Sequence, residues 1–344
     1  MIHTFEIKQT MTLEKFNSIA GDVFEQEQID SFLNGSTGML SLIPYRYIGV
    51  NDISIYKAND GFLILCMIIN PQSMITQSIT LDLFECSPSS LQVLSERFTT
   101  TLELIGLYPF PDIREWFVSR IDYALDLITE NVDKYVALSK RALRPAWFID
   151  YTIKEGSSYP ESKSVSLNFY DKEDQVRKTM TAVPAFDQLL SAAHNRFRTE
   201  VQCHTTKIKA IRKKLALPNT RLVNFLSEEI ALDIVHYYYR YLMGYGDFYS
   251  LSEAERIVNA QSWRGDRKAK FIEWLNFVAT NDNLTAARAT ALSDGTICRA
   301  TLSTYTNLSN RCRINPLTLP PEWDITRLRN PLAPKGSTPP GLQF

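Results

Sequence analysis

The sequence predicts an α+β protein, in which a central, largely antiparallel sheet with flanking helices is followed by a helical carboxyl-terminal domain. Two observations favour this class. Between residues 48 and 204, runs with strand periodicity alternate with single helices and include a hairpin, and from residue 219 onward the apolar period is purely helical. The 344 residues, 44% hydrophobic and 22% charged, suffice for about two domains and exclude global disorder.

The first hundred residues predict two helices around a set of short strands. The predicted elements are a helix at 13–24, strands at 53–56, 62–69 and 78–84, and a helix at 91–105. Asn59-Asp60-Gly61 lies between two β-rich runs, a strong signal for a hairpin turn. The last helix has apolar residues spaced by three and four, and Ser87, Ser89 and Ser90 are its candidate N-caps.

The following segment alternates between strands and helices. We predict strands at 116–128, 147–153, 164–172 and 196–204, and helices at 129–143, 184–195 and 205–217. Helices continue to about residue 280, and the tail from residue 316 carries seven prolines in 29 residues, which rules out a regular element there. We therefore divide the chain into a helical or irregular segment (1–44), an α+β domain (45–217), a helical domain for DNA binding or dimerisation (218–315) and a proline-rich tail (316–344).

Composition places limits on compartment and partners. The five cysteines are scattered and form no CxxC pair, the apolar runs are too short for a membrane span, and the amino terminus lacks the pattern of a signal peptide. We therefore expect a cytoplasmic protein with reduced thiols and no membrane partner.

The net charge of −1 hides an acidic first hundred residues (−6) and a basic region from residue 201 onward (+7). Such polarity is compatible with a polyanionic partner.

The densest basic stretch runs from 196 to 214 and contains a single acid, Glu200. It either contacts nucleic acid or forms a solvated helix face, and charge alone favours the second. A basic entry at 263–270 into a later helix fits a DNA-reading helix-turn-helix and a dimerisation bundle equally well. We expect the DNA-contacting residues to be Arg120, Arg196, Arg198, Lys207, Lys209, Arg212, Lys213, Lys214, Arg267 and Lys268.

Three predicted strands each combine an apolar face with a polar one, because successive side chains of a strand point to opposite faces. The polar positions are Arg120, Asp122 and Asp126 in the first strand, Ser166, Asn168, Tyr170 and Lys172 in the second, and Arg196, Arg198, Glu200, Gln202 and His204 in the third. If the strands are neighbours, these groups converge. A solvent-facing side of an antiparallel sheet is the alternative, but aspartates in mid-strand are disfavoured and call for a reason.

This set of side chains suits phosphodiester transfer. Carboxylates can hold a divalent ion through oxygen ligands, basic groups can offset charge on a phosphate, and a tyrosine can attack phosphorus. The sequence contains no glycine-rich phosphate loop, dinucleotide fingerprint, zinc-protease motif or serine-hydrolase motif.

Three motifs resemble those of rolling-circle replication initiators of phages and Gram-positive plasmids. They are Arg120-Ile121-Asp122-Tyr123-Ala124-Leu125-Asp126, Phe169-Tyr170-Asp171-Lys172 ending at Gln175, and Arg196-Phe197-Arg198-Thr199-Glu200-Val201. Weaker similarities at 69–71 and 313–320 extend the resemblance over roughly residues 45–320. It implies the fold of an initiator nuclease and an enzyme that nicks and religates one strand of a double-strand origin through a tyrosine–phosphate intermediate, using Mg²⁺ or Mn²⁺.

Carried over by residue, the resemblance implies metal-site acids at Asp122, Asp126 and Glu200, a nucleophile at Tyr170, and Lys172 beside the scissile phosphate. Tyr151 and Tyr159 remain rival nucleophiles, since the chain lacks the His-hydrophobic-His metal motif of the wider superfamily. The implied partners are origin DNA, a host helicase and a second copy in a homodimer. The alternative function is a non-catalytic DNA-binding initiator or regulator on the same fold.

Overall fold

The structure is a computed structural model that describes residues 1–21, 24–35, 38–42, 49–107 and 109–332. Its strands are β1 (Ile2–Met11), β2 (Gly38–Leu42), β3 (Val50–Lys57), β4 (Leu63–Ile69), β5 (Phe117–Ile128), β6 (Asp150–Lys154), β7 (Ser157–Glu161), β8 (Val165–Asp171), β9 (Arg196–His204), β10 (Phe248–Tyr249) and β11 (Arg327–Leu328). Nine of them form one sheet in the order β2-β3-β4-β1-β5-β9-β8-β7-β6. All neighbours pair antiparallel, which confirms the predicted sheet.

Helices pack around this sheet and make up most of the carboxyl-terminal region. They are α1 (Leu13–Ala20), α2 (Gln26–Asn34), α3 (Pro71–Thr76), α4 (Pro88–Leu104), α5 (Val132–Lys140), α6 (Lys172–Thr179), α7 (Phe186–Ala193), α8 (Thr205–Lys214), α9 (Glu228–Met243), α10 (Leu251–Asn259), α11 (Gly265–Ala279), α12 (Leu284–Ser293) and α13 (Arg299–Cys312). None of the helices in the described ranges has the length and apolar character that a membrane crossing requires. The α+β class and the helical region after 218 are confirmed.

The first strand is the main element that the sequence did not predict. We expected 1–44 to be helical or irregular, but β1 lies in the middle of the sheet between β4 and β5. Its pairing with β5 shifts register between Ile2 and Thr4 and again between Glu6 and Ile7. The first of these shifts breaks the strict alternation that identifies a strand in sequence at the start of β1. The predicted boundary at 44–45 lies outside the described residues.

Three further expectations differ from the structure. Residues 78–84 are not a strand; apart from an isolated bridge at Phe84, they form a loop whose Leu81 packs on Val176 and Leu189. Residues 172–179 form α6, where Val176 alone is both apolar and buried, so no apolar stripe marks the helix. The described part of the tail contains β11, which pairs with β10, because residues 322–330 contain no proline. Residues 333–344 of the predicted tail lie outside the described residues.

The sheet has an apolar face and a polar face. Helices α5, α8 and α9 contact β5, β8 and β9, and on the apolar side the ring of Phe169 in β8 meets that of Tyr239 in α9. Buried apolar side chains form one large cluster that runs from Ile2 to Leu328 and a small one of Leu81, Val176, Leu189 and Ala193. Sheet and helical region therefore share one hydrophobic core in the described residues, and the boundary near 217 stays a prediction.

Candidate functional site

The polar residues of β5, β9 and β8 converge as predicted, because these three strands are adjacent. Ala124 pairs with Glu200 and Asp126 with Arg198, while Asn168 and Tyr170 pair with the same two residues from the other side. We call this surface the polar face. It consists of His3, Thr4, Arg120, Asp122, Asp126, Ser166, Asn168, Tyr170, Arg196, Arg198, Glu200, Gln202 and His204, with Lys172 at the start of α6.

Strand β1 adds two side chains to the polar face. The register shift between Ile2 and Thr4 lets Thr4 reach an acid of the neighbouring β5 and His3 an acid of β9, one strand further. His3 Nδ1 lies 2.9 Å from Glu200 Oε2, and the Thr4 hydroxyl donates a hydrogen bond to Asp122 Oδ2. Sequence analysis missed both residues because it missed the strand. The mid-strand bulge leaves no local signal that would have revealed them.

Glu200 contacts three side chains of the site. Besides His3, it accepts hydrogen bonds from Gln202 Nε2 at 2.9 Å and from the Tyr170 hydroxyl at 3.3 Å. Its burial alone would raise the pKa, but His3, Gln202 and Arg198 outweigh burial and hold the pKa of Glu200 below its usual range. Burial lowers the pKa of His3 in spite of the adjacent carboxylate. Glu200 is therefore ionised at neutral pH, and His3 tends toward the neutral form.

Asp122 is buried beside Glu200, but its pKa is shifted in the opposite direction, upward. Burial raises the pKa of Asp122 to about 7, Arg120 opposes the rise, and the charge of Glu200 adds to it. Arg120 Nε lies 3.1 Å from Asp122 Oδ1. Two neighbouring carboxyl groups whose pKa values are driven apart in this way are typical of sites that use one as an acid or base.

Asp126 forms a separate ion pair at the other end of the face. Arg198 donates from Nε to Oδ1 at 2.6 Å and from Nη2 to Oδ2 at 2.8 Å, and Arg196 Nη1 donates to Oδ2 at 3.1 Å. The carbonyl of Leu81 accepts from both arginines, so the 78–84 loop covers this end. Burial would raise the pKa of Asp126, but the arginines hold it below its usual range.

Tyr170 and Lys172 are enclosed at this covered end. Tyr170 is 4% exposed and Lys172 1% exposed, and the Lys172 ammonium lies 5.6 Å from the centre of the Tyr170 ring. Burial raises the pKa of Tyr170 well above its usual value. Burial, followed by the charge of Arg198, lowers the pKa of Lys172 to about 7. The predicted nucleophile and its lysine thus lie close together, but both are buried away from a phosphate in solvent.

The other end of the polar face is open. Arg120, Gln202 and His204 are half-buried there, and His204 Nε2 lies 2.9 Å from the Ser166 hydroxyl. Tyr159 in β7 is also half-buried, and its hydroxyl donates to Gln202 Oε1 at 3.0 Å. Burial raises the pKa of Tyr159, partly offset by Ser166, and the charges of Glu161, Glu200 and Asp122 add to the rise. Tyr159 is therefore connected to the acids and accessible to solvent.

Tyr151 belongs to the opposite side of the sheet. Its hydroxyl donates to the backbone carbonyl of Ser139 in α5 at 3.1 Å. Ser158, the neighbour of Tyr159 in β7, also bonds Ser139, so Tyr159 points away from α5. Of the three candidate tyrosines, Tyr159 alone combines exposure with contact to the polar face.

A cavity of about 530 Å³ opens beside the covered end of the polar face. Asp126 and Arg196 line it together with Asp82 and Glu85. Its three acids against one arginine make it a poor site for a DNA phosphate. At the open end, Arg120 and His204 lie near Glu6 and Glu161.

The predicted metal-site acids do not form a ready-made ligand set. Among the described residues, no group of three or more His, Cys, Asp or Glu side chains is arranged to hold a metal ion. Both oxygens of Asp126 already accept hydrogen bonds from Arg198, so Asp126 does not fit a shared ion with Asp122 and Glu200. A requirement for Mg²⁺ or Mn²⁺ stays a prediction, and no step below depends on it.

The predicted DNA-contacting residues separate into two groups. Exposed on the surface are Lys209, Arg212, Lys213 and Lys214 in α8 and Arg267 in α11. Buried or half-buried are Arg120, Arg196, Arg198, Lys207 and Lys268. In this second group, Lys207 lies 4.9 Å from the centre of the Tyr238 ring, and Lys268 bonds the carbonyl of Asn259. Only the first group is exposed enough for salt-dependent contact with DNA.

Comparison of the chain with known protein families, curated proteins and solved structures found no match.

Proposed function

We propose that the protein is a replication initiator that nicks and rejoins one strand of DNA at a plasmid or phage origin, with Tyr159 as the attacking group. The proposal includes an initiator-type nuclease fold for the sheet. The observation that carries it is the half-buried Tyr159 hydroxyl, which bonds Gln202, which in turn bonds the buried carboxylate of Glu200. A tyrosine hydroxyl at the accessible edge of an acid–histidine cluster is the arrangement that covalent phosphoryl transfer needs.

In the proposed reaction, the Tyr159 oxygen bonds to phosphorus and the bond from phosphorus to the 3′ oxygen breaks. The 5′ phosphate stays on the tyrosine, and the 3′ oxygen leaves as a hydroxyl after taking a proton from solvent. Asp122 is the carboxylate best matched to accept the tyrosine proton, because its pKa of about 7 lies near the working pH. Arg120, beside Asp122, supplies positive charge next to the phosphate.

A group of exposed basic residues follows the end of β9, on the apolar side of the sheet. β9, which carries Glu200 and Gln202, leads without a break into α8, whose exposed cations are Lys209, Arg212, Lys213 and Lys214. We propose that a DNA strand follows α8 toward the open end of the polar face. A homodimer and a contact with a host helicase remain predictions of the resemblance.

The test is covalent attachment to single-stranded oligonucleotides that tile the DNA around the gene, with Mg²⁺, with Mn²⁺ and with a chelator. We expect wild-type protein to form an adduct that survives denaturation, Tyr159→Phe to form none, and Tyr151→Phe and Tyr170→Phe to keep it. Loss of the adduct in Tyr170→Phe alone would restore Tyr170 as the nucleophile. If wild-type protein forms no adduct and leaves supercoiled origin plasmid intact under every condition, the enzyme proposal fails.

One observation favours the second candidate, a DNA-binding initiator or regulator without catalysis. Asp122, Asp126 and Glu200 all have cationic or hydrogen-bonding partners within the protein, as acids with a purely structural role would. This candidate predicts salt-dependent DNA binding without any adduct, and the same assay separates the two.

A further inference from the structure

The helical region encloses a second cavity, far from the polar face in the fold. It has a volume of about 260 Å³ and lies between α9, α11, α12, α13 and residues 314–316. Since α9 packs against the apolar face of the sheet, the cavity is on the side opposite Tyr159. We call it the helical cavity, and the inference below does not rest on the proposed nicking activity.

The charge of the helical cavity is one-sided. Arg240 and Arg288 line it, and no Asp or Glu is among its lining residues in the described chain. Arg288 makes no ion pair with any described acid, and burial lowers its pKa. A half-buried arginine without a counter-ion favours an anionic ligand.

Two polar atoms of the cavity wall lack a partner. Arg288 Nε and the Ser309 hydroxyl are buried and make no hydrogen bond within the described residues. Ser309 is 4% exposed and follows Thr306 by one turn of α13. Buried polar groups in native proteins are nearly always hydrogen-bonded, so these two atoms point to a ligand with acceptor oxygens.

The rest of the cavity wall is aromatic and apolar. The rings of Tyr237 and Tyr241 lie within 16° of parallel with centroids 6.1 Å apart, and Trp274 forms part of the wall. Tyr241 and Tyr245 are 41% and 36% exposed, which places them at the mouth. Flat aromatic surfaces beside arginine are the combination on which nucleobases stack in single-strand binding sites.

We propose that the helical cavity binds one nucleotide unit, with the base among the aromatic side chains and the phosphate at Arg288 and Ser309. The volume lies at the lower limit of ligand pockets, roughly 300 Å³, which suits one nucleotide rather than two. The unit is either a free nucleoside monophosphate or one nucleotide of a DNA strand. These sources share the chemistry and are distinguished by the experiment.

The test is calorimetric titration of the full chain with each deoxynucleoside monophosphate, deoxyadenosine, inorganic phosphate and a ten-residue oligothymidylate. We expect Arg288→Gln to weaken nucleotide binding about tenfold or more and Ser309→Ala to weaken it less. Arg256→Gln is the matched control, because Arg256 is exposed and paired with Glu253. Tyr241→Ala, at the exposed mouth, tests the base contact without disturbing the core and should also weaken binding.

The relative affinities of these ligands distinguish the possible sources of the nucleotide and test each part of the proposed site. Tighter binding of the free nucleotide than of the oligonucleotide supports a free ligand, and the reverse supports a strand of DNA. Equal affinity of deoxyadenosine and its monophosphate overturns the phosphate site, and equal affinity of inorganic phosphate and the nucleotide overturns the base site. Absence of binding to wild-type protein at millimolar nucleotide, or unchanged affinity in both Arg288→Gln and Tyr241→Ala, overturns the whole proposal.

Discussion

Arg198 and Asp126 form a two-pronged ion pair between neighbouring strands, with Nε 2.6 Å from Oδ1 and Nη2 2.8 Å from Oδ2. Arg198 is fully buried, so Asp126 is the acid that balances a charge removed from solvent. The pair joins β5 to β9 and, through the carbonyl of Leu81, anchors the loop above them. Its geometry identifies Asp126 as part of the structural support of the site.

The first prediction concerns this pair. Asp126→Ala leaves Arg198 buried without its counter-ion, and we expect a loss of about 3–5 kcal/mol in the free energy of unfolding. Urea denaturation followed by circular dichroism measures it. Asp133→Ala is the control, because the Asp133 side chain is 76% exposed and should change stability little. Equal midpoints for the two variants would contradict a structural role.

The second prediction is that Lys172 makes stability depend on pH. Its pKa is about 7 in the folded protein and 10.5 ordinarily, so between those values the unfolded chain binds the additional proton. The free energy of unfolding of wild-type protein should therefore rise relative to that of Lys172→Met, by up to about 1.4 kcal/mol per pH unit between pH 7 and 9. Urea unfolding at several pH values measures the difference. Lys178→Met, at an exposed site, keeps Lys172 and should therefore follow the wild-type pH profile. A Lys172→Met profile that is also parallel to that of wild type would refute the prediction.

The third prediction concerns the pH dependence of nicking. If Asp122 accepts the Tyr159 proton, the rate should rise as pH passes through about 7, where Asp122 loses its own proton. We expect Asp122→Asn to be slower by roughly 10²–10⁴-fold and to lack this rise. Rates of plasmid nicking between pH 5.5 and 9 give the profile. If Asp122→Asn is slower but keeps the wild-type dependence of rate on pH, a group other than Asp122 accepts the tyrosine proton.

The fourth prediction concerns α8 as a DNA-binding helix. Replacing Lys209, Arg212 and Lys213 by glutamine should lower DNA affinity and reduce the slope of log affinity against log salt, by about 0.9 for each duplex phosphate that the variant no longer neutralises. Fluorescence anisotropy at several salt concentrations measures both. Arg177→Gln with Lys178→Gln in α6 is the matched control, since both side chains are exposed but paired with Glu173 and Asp174. Equal slopes for the two variants would exclude α8 from the interface.

The sequence predicted those parts of the site that depend on simple alternation. In β5, β8 and β9 the side chains follow a period of two. The residues of the polar face on these strands could therefore be predicted before the order of the strands was known. The ion pair between Asp126 and Arg198, which depends on the register of β5 against β9, and the burial of Tyr170 could not be predicted. The carbonyl of Leu81, which accepts from Arg198, belongs to a loop whose position is set by packing against α6 and α7, and no local sequence pattern records that packing.

Strand β1 is a second part of the site that sequence patterns did not predict. The alternation of Phe5, Glu6, Ile7 and Lys8 is present in the sequence, but the shift between Ile2 and Thr4 interrupts it at the start of the strand. His3 was consequently missed, although it lies beside Glu200. A histidine in an irregular strand can be placed at a site only when the three-dimensional pairing is known.

The central position of β1 also bears on how the chain folds. β2, β3 and β4 lie on one side of it and β5, β9, β8, β7 and β6 on the other, so β1 alone joins two otherwise separate halves of the sheet. Each half contains hairpins between strands that are consecutive in sequence. By contrast, β1 pairs with residues about 60 and 115 positions later in the chain, and such non-local contacts form slowly. The two halves can therefore form early and independently, and their union around the first strand, which also completes the polar face, is the step we expect to limit the folding rate.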